Sequence, residues 1–91
     1  MRIHFYAMLR EAVGAAHIDY SPQPNQTIRQ LFDVLANQYP ELAPRLLDAA
    51  GELSPHIVVF LDRQEILLGE GLDTTLDDAE MLQVFAQISG G

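Results

Sequence analysis

The sequence predicts an α+β fold, a mixed sheet of four to five strands with one main helix lying on one face. Three observations carry that expectation. The chain opens with a period-two alternation in which Ile3, Phe5 and Ala7 interleave with Arg2, His4 and Tyr6, the pattern of a strand with one buried face. The segment TIRQLFDVLANQYP places its apolar residues at helical spacing. The second half holds two apolar runs, HIVVFLD and MLQVFAQI, in which β-branched and aromatic residues favour strands.

Taken in order, the first strand covers RIHFYAM, and Gly14 interrupts the chain after REAV. AHIDYS then alternates again through Ile18 and Tyr20 until Pro22 and Pro24 stop it, so the two segments pair as a β-hairpin with a longer loop. The helix starts at Thr27, whose hydroxyl can accept from free backbone N–H groups while Gln30 reaches back to the cap, the capping-box arrangement. Ile28, Leu31, Phe32, Leu35 and Tyr39 make one apolar face, and Pro40 ends it. A weaker helix, PRLLDAAG, is expected to connect the halves and stop at Gly51. HIVVFLD is apolar on both faces, as an interior strand is. EILL is a short strand candidate ended by GEG, LDTTLDDAE is turn-rich, and MLQVFAQI closes the fold as a strand.

An order β-β-α-β-β-β with one good helix requires that helix to cover one sheet face. This arrangement is a β-grasp. With the last strand beside the first, residues 1–87 form the β-grasp domain and residues 88–91 a flexible Gly-Gly tail leaving one end of the sheet.

Composition narrows the function. A chain of 91 residues with 48% hydrophobic content fits one small core. Its formal charge of −8, with five arginines and no lysine, repels phosphate backbones and anionic lipid, so neither nucleic acid nor membrane is an expected partner. No run reaches the ~18 apolar residues of a membrane span, and the opening MRIHFYAMLREAV lacks the h-region of a signal peptide; a cytoplasmic location is expected. Zero cysteines leave no disulfide, thiolate metal site or cysteine nucleophile.

Catalytic constellations are missing from the pattern. His4, His17 and His56 match no zinc spacing and are expected as surface or packing residues. No metal site is expected. Ser21, Ser54 and Ser89 lack a G-x-S-x-G context. LLGEGLD lacks the G-x-G-x-x-G spacing of a dinucleotide loop, and the acidic run Asp73, Asp77, Asp78, Glu80 lacks the central glycine of a calcium loop; both are expected as turns, the second open to docking on a basic partner.

The sheet face away from the helix is more informative. If Ile57, Val59 and Leu61 point to the helix, then Val58 and Phe60 point away, as do Met81 and Phe85 from the neighbouring strand. Such a face is either a docking patch, with Phe60, Met81 and Phe85 as partner-binding residues, or it is covered by the segment ELAPRLLDAAGELSP. The chain then ends in Gly90 and Gly91. Glycine lacks a Cβ, so such an end is thin and can thread a narrow channel. Its one reactive group is the carboxylate of Gly91, which must become an acyl derivative, such as an acyl-adenylate, before a nucleophile can attack it.

The second half, HIVVFLDRQEILLGEGLDTTLDDAEMLQVFAQISGG, resembles the ubiquitin-like sulfur carriers: the small subunit of molybdopterin synthase, the thiamine-pathway carrier, and relatives serving cysteine synthesis or tRNA thiolation. The likeness covers nearly the whole chain in architecture and is close in residues at Leu72 to Leu76 and Ser89 to Gly91. It implies a carrier and not an enzyme, at most the non-catalytic small subunit of a synthase. An E1-like enzyme would adenylate Gly91 and convert it to a thiocarboxylate, with Gly90 and Ser89 forming the thin tail. No cofactor is bound; ATP and a sulfur source enter through that partner, and the sulfur passes to an acceptor enzyme such as the large subunit of molybdopterin synthase. The Ser-Gly-Gly ending resembles the molybdopterin subunit most. Cysteine, thiamine and tRNA sulfur remain alternatives, as does a ubiquitin-like modifier joined through Gly91 to a lysine of another protein, or a binding domain with an idle tail. The chain departs from the family pattern where Asp62-Arg63 replaces a common Asn-Gly turn, where Ala79 stands for a turn glycine expected at positive φ, and where Ala86 and Gln87 replace tail prolines.

Overall fold

The structure, a computed structural model, describes residues 1–86. Strand β1 (Arg2–Phe5) is followed by helix α1 (Met8–Val13) and strand β2 (His17–Asp19). Helix α2 (Ile28–Gln38) and the short α3 (Ala43–Leu46) lead to β3 (Ile57–Leu61), β4 (Gln64–Glu65) and β5 (Met81–Ala86). The strands form a single five-stranded sheet in the order β2-β1-β5-β3-β4. β5 runs parallel to β1 and antiparallel to β3. The expected neighbourhood of first and last strands is therefore present, and with it the β-grasp.

Helix α2 has the predicted start. The Thr27 hydroxyl accepts from the Gln30 backbone N–H at 3.2 Å, and the Gln30 side chain accepts from the Thr27 N–H at 2.9 Å. Two of the four orphan donors of the helix end are thus satisfied. Its apolar face, Ile28, Leu31, Phe32 and Leu35, is fully buried against Ile3 and Phe5 of β1, Val59 of β3 and Leu82 and Val84 of β5. Removing that area from water is the main stabilising term.

Four expectations need correction. The first strand stops at Phe5, because Ala7 adopts φ +54° and swings the chain off the sheet; Ala7, expected in the buried set, is exposed. The connection from β1 to β2 is not a simple hairpin loop: it contains α1, a helix six residues long that buries Leu9 and ends on Gly14 at φ +82°. The connecting helix is shorter than PRLLDAAG suggests, since the Asp48 carboxylate accepts from the N–H groups of Ala50 and Glu52, a local alternative to helical bonding. Last, EILL is not a strand: Gln64 and Glu65 alone pair with β3, and Ile66–Leu68 winds into a 3-10 turn that buries Ile66.

The turn regions differ in detail from the family pattern. Asp62 and Arg63 both have positive φ, +47° and +72°, so the tight β3–β4 turn forms without Asn-Gly. Positive φ in the acidic turn falls on Asp77, at +39°, and not on Ala79.

Candidate functional site

The sheet face opposite α2 carries the predicted patch. Leu42 and Leu46 of the connecting segment are buried in the helix-side core, so that segment anchors on the far layer. Of the two expectations for the outer face, docking patch or cover, cover by those leucines is overturned. Val58, Phe60, Met81 and Phe85 are all half-buried.

Strand register decides how these side chains group. Val58 lies opposite Phe85, and Phe60 opposite Gln83. The Phe60 ring meets Phe85 edge-on, with centroids 5.8 Å apart and planes at 85°, while Tyr6 stacks flat on Phe85 at 4.3 Å and 7°. Both are favoured aromatic geometries. An open depression lined by Val58, Phe60, Glu65, Phe85 and Ala86 borders the cluster. Met81, the third predicted residue, is not part of it. Four residues back along β5, it stands about 13 Å from Phe85 and lines a separate groove with Arg2, His4, Asp62, Arg63 and Glu80.

Three contributors were not expected from the sequence. Tyr6 caps the aromatic stack, Gln83 donates to the Tyr6 hydroxyl at 3.0 Å, and the Arg10 guanidinium sits 5.6 Å from the Tyr6 ring centre while its Nε donates to the Phe5 carbonyl at 2.9 Å. That geometry fixes a cation over a π face. The signal for Tyr6 was available, since the opening alternation points it outward and β1 neighbours β5. For Arg10 there was none, because its position depends on α1.

Other singled-out residues serve structure. Asp62 accepts from the backbone N–H groups of Glu80 and Met81, both at 3.0 Å, and so pins the start of β5 to the β3–β4 turn. Asp73 pairs with Arg29 at 3.3 Å, and Asp77 accepts from the Thr75 hydroxyl at 2.6 Å. Among the described residues no three His, Asp or Glu side chains gather to hold a metal ion. Burial, then the neighbouring His17, then Arg2, lower the His4 pKa from its ordinary value. The predicted reactive residues, Ser89, Gly90 and Gly91, lie outside the described residues; the last described residue, Ala86, pairs with Ile57 at the start of β3. Among the described residues, no helix is long and apolar enough to cross a membrane.

Comparison with known proteins places this geometry. The model of the ThiS family matches residues 3–91. The chain belongs to the ThiS family. Small archaeal modifier protein 3 of Haloferax volcanii is 32% identical over 91 residues, covering 100% of this chain and 98% of its own length. A protein of Archaeoglobus fulgidus that bears the name of a sulfur carrier is 28% identical over 65 residues, which is 71% of this chain and 74% of that one. The solution structure of the HVO 2177 protein of Haloferax volcanii superposes with a TM-score of 0.84 at 32% identity, covering 99% of this chain and 84% of the other. As a ThiS-family protein with the ubiquitin-like β-grasp, the chain is a small carrier or modifier and not an enzyme.

Proposed function

We propose that the chain is a sulfur carrier whose working group is the carboxylate of Gly91. In the first step that carboxylate attacks the α-phosphorus of ATP in an E1-like partner, forming an acyl-adenylate and releasing pyrophosphate. A sulfur nucleophile supplied through the partner then displaces AMP and leaves a thiocarboxylate. Transfer of the sulfur to an acceptor, with water supplying oxygen, restores the carboxylate. The carrier binds no cofactor of its own in this scheme, and the cytoplasm, where ATP is available, is its expected setting.

One observation supports this reading above the rest: β5 is a central strand, held by β1 and β3, and in the sequence Ser89-Gly90-Gly91 follows two residues after it. A strand anchored on both edges makes a rigid base for a thin tail. The aromatic cluster of Tyr6, Phe60 and Phe85 is the proposed docking face, and Met81, in a separate groove of the same sheet face, lies outside it. Among acceptors, the large subunit of molybdopterin synthase is preferred because the Ser-Gly-Gly ending resembles the small subunit of that enzyme; carriers for cysteine, thiamine or tRNA sulfur end in the same chemistry.

A second reading has an observation of its own. The relative at 32% identity over the whole chain is a modifier protein, which favours amide formation between Gly91 and a lysine of another protein. Intact mass after incubation with ATP, a sulfur source and the E1-like enzyme separates the two. Exchange of one oxygen for sulfur at Gly91 is expected for the carrier, and conjugates of higher mass for the modifier. Activity undiminished by an extra residue placed after Gly91, without trimming, would overturn both.

A further inference from the structure

The outer face holds a pair of histidines at the β1–β2 edge, where the His4 ring also stacks on Tyr6 of the aromatic cluster with centres 6.4 Å apart. His4 of β1 and His17 of the edge strand β2 are direct cross-strand partners. Phe5 donates to the Ala16 carbonyl and Tyr20 to the Met1 carbonyl, which makes the alternate pair His4 and His17 a non-hydrogen-bonded one, where opposing side chains stand closest. Their ring centres are 5.5 Å apart with planes at 42°. Two imidazoles on one tetrahedral zinc, each Zn–N bond ~2.0–2.1 Å long, have ring centres ~5.2 Å apart. The observed separation of the ring centres is close to that value.

We propose that His4 and His17 form a two-imidazole clamp for a borderline transition-metal dication such as zinc at the β1–β2 edge. Imidazole is the preferred neutral ligand for such ions, and the net charge of −8 draws dications toward the chain against the local charge of Arg2, which Asp19 partly offsets. His17 is exposed and His4 half-buried, so the ion would enter from solvent and complete its shell with water. Asp19, two residues from His17, is already engaged with Arg2 at 3.2 Å. With no cluster of three ligands among the described residues, the clamp is an exchangeable site and not a structural zinc. It would nonetheless bind the folded sheet alone, because only the native register brings the two rings together, and so it would raise stability by linkage.

Zinc and, separately, magnesium titrated into the full chain test this by calorimetry and by NMR of the histidine rings. One equivalent of zinc is expected to move the His4 and His17 signals together while those of His56, on the turn before β3, stay in place; magnesium should move none. Losing even an outer-shell partner of a metal costs about 10- to 100-fold in affinity, so His4→Asn and His17→Asn should each weaken zinc binding at least about tenfold. His17 is exposed, and the metal-free spectrum of His17→Asn verifies that its fold is intact. Zinc affinity unchanged in both variants, or reduced as much by His56→Asn, overturns the clamp, as does a zinc titration that leaves both rings unmoved.

Discussion

His4 shows how a single residue on this face ties stability to pH. Its pKa is lowered chiefly by burial, with His17 and Arg2 adding repulsion, so the folded state prefers the neutral ring more than the unfolded chain does. Between the folded and unfolded values the unfolded state binds more protons, and stability rises with pH. The contribution is complete above about 6.5, the ordinary histidine value, and is lost as pH falls through the depressed folded value. Thermal melts from pH 5 to 8 should therefore show a His4→Gln variant with a shallower loss of Tm on the acid side; parallel curves would refute the assignment. Arg63 is a second informative residue. It holds φ +72°, a conformation that costs an L-residue roughly 1–2 kcal/mol, in a turn whose other central residue, Asp62, tolerates it better. Replacing it with glycine should stabilise the chain by about 1 kcal/mol, read as a rise in the urea midpoint at constant slope.

Elements were legible in the sequence to the extent that they carry their own signals. Helix α2 announces itself by cap and periodicity together, and the capping box is physically made. Thr27→Ala removes a side-chain acceptor from the Gln30 N–H and should cost about 0.5–2 kcal/mol, measurable by denaturant unfolding; an unchanged midpoint would mean that the bridge between Thr27 and Thr75 holds the helix start without the cap. The interior strands β3 and β5 were equally clear, and their alternation correctly separated Phe60 and Phe85 from the core. Helix α1 was not legible. Six residues without a side-chain cap cannot form a stable helix alone; they are helical because Leu9 is buried. The two-residue β4 failed for the same reason, since the apolar run that suggested a strand is used to bury Ile66 through a 3-10 turn. In the candidate site, strand parity placed Phe60, Phe85 and Met81 on the outer face, as the structure does, but parity says nothing of distance along a strand, and four residues of β5 put Met81 in another groove.

At the scale of the whole molecule, the sheet divides labour between its faces. One face is sealed by α2 and the connecting segment, and the other presents an aromatic centre with charges at its rim: Glu65 borders the Phe60–Phe85 depression, and Arg10 lies over Tyr6. In interfaces, a desolvated aromatic centre governs the lifetime of the complex, while rim charges govern encounter. The two roles predict different kinetics with the proposed E1-like partner. Phe85 touches both Tyr6 and Phe60, so Phe85→Ala removes the centre of the stack and should weaken binding by at least about 2 kcal/mol, roughly 30-fold, mostly through faster dissociation. Because Phe85 is half-buried, the variant's thermal transition must be checked alongside; a fold lost at the assay temperature would make Phe60→Ala the variant to measure, with the same expected direction. Glu65→Gln should instead alter the association rate and its dependence on salt, with little change in dissociation, as a screened surface charge does. Surface plasmon resonance at two ionic strengths separates these effects. Dissociation unchanged in both phenylalanine variants would place the docking face elsewhere, since a surface whose central rings can be removed without shortening the complex is not the one in contact.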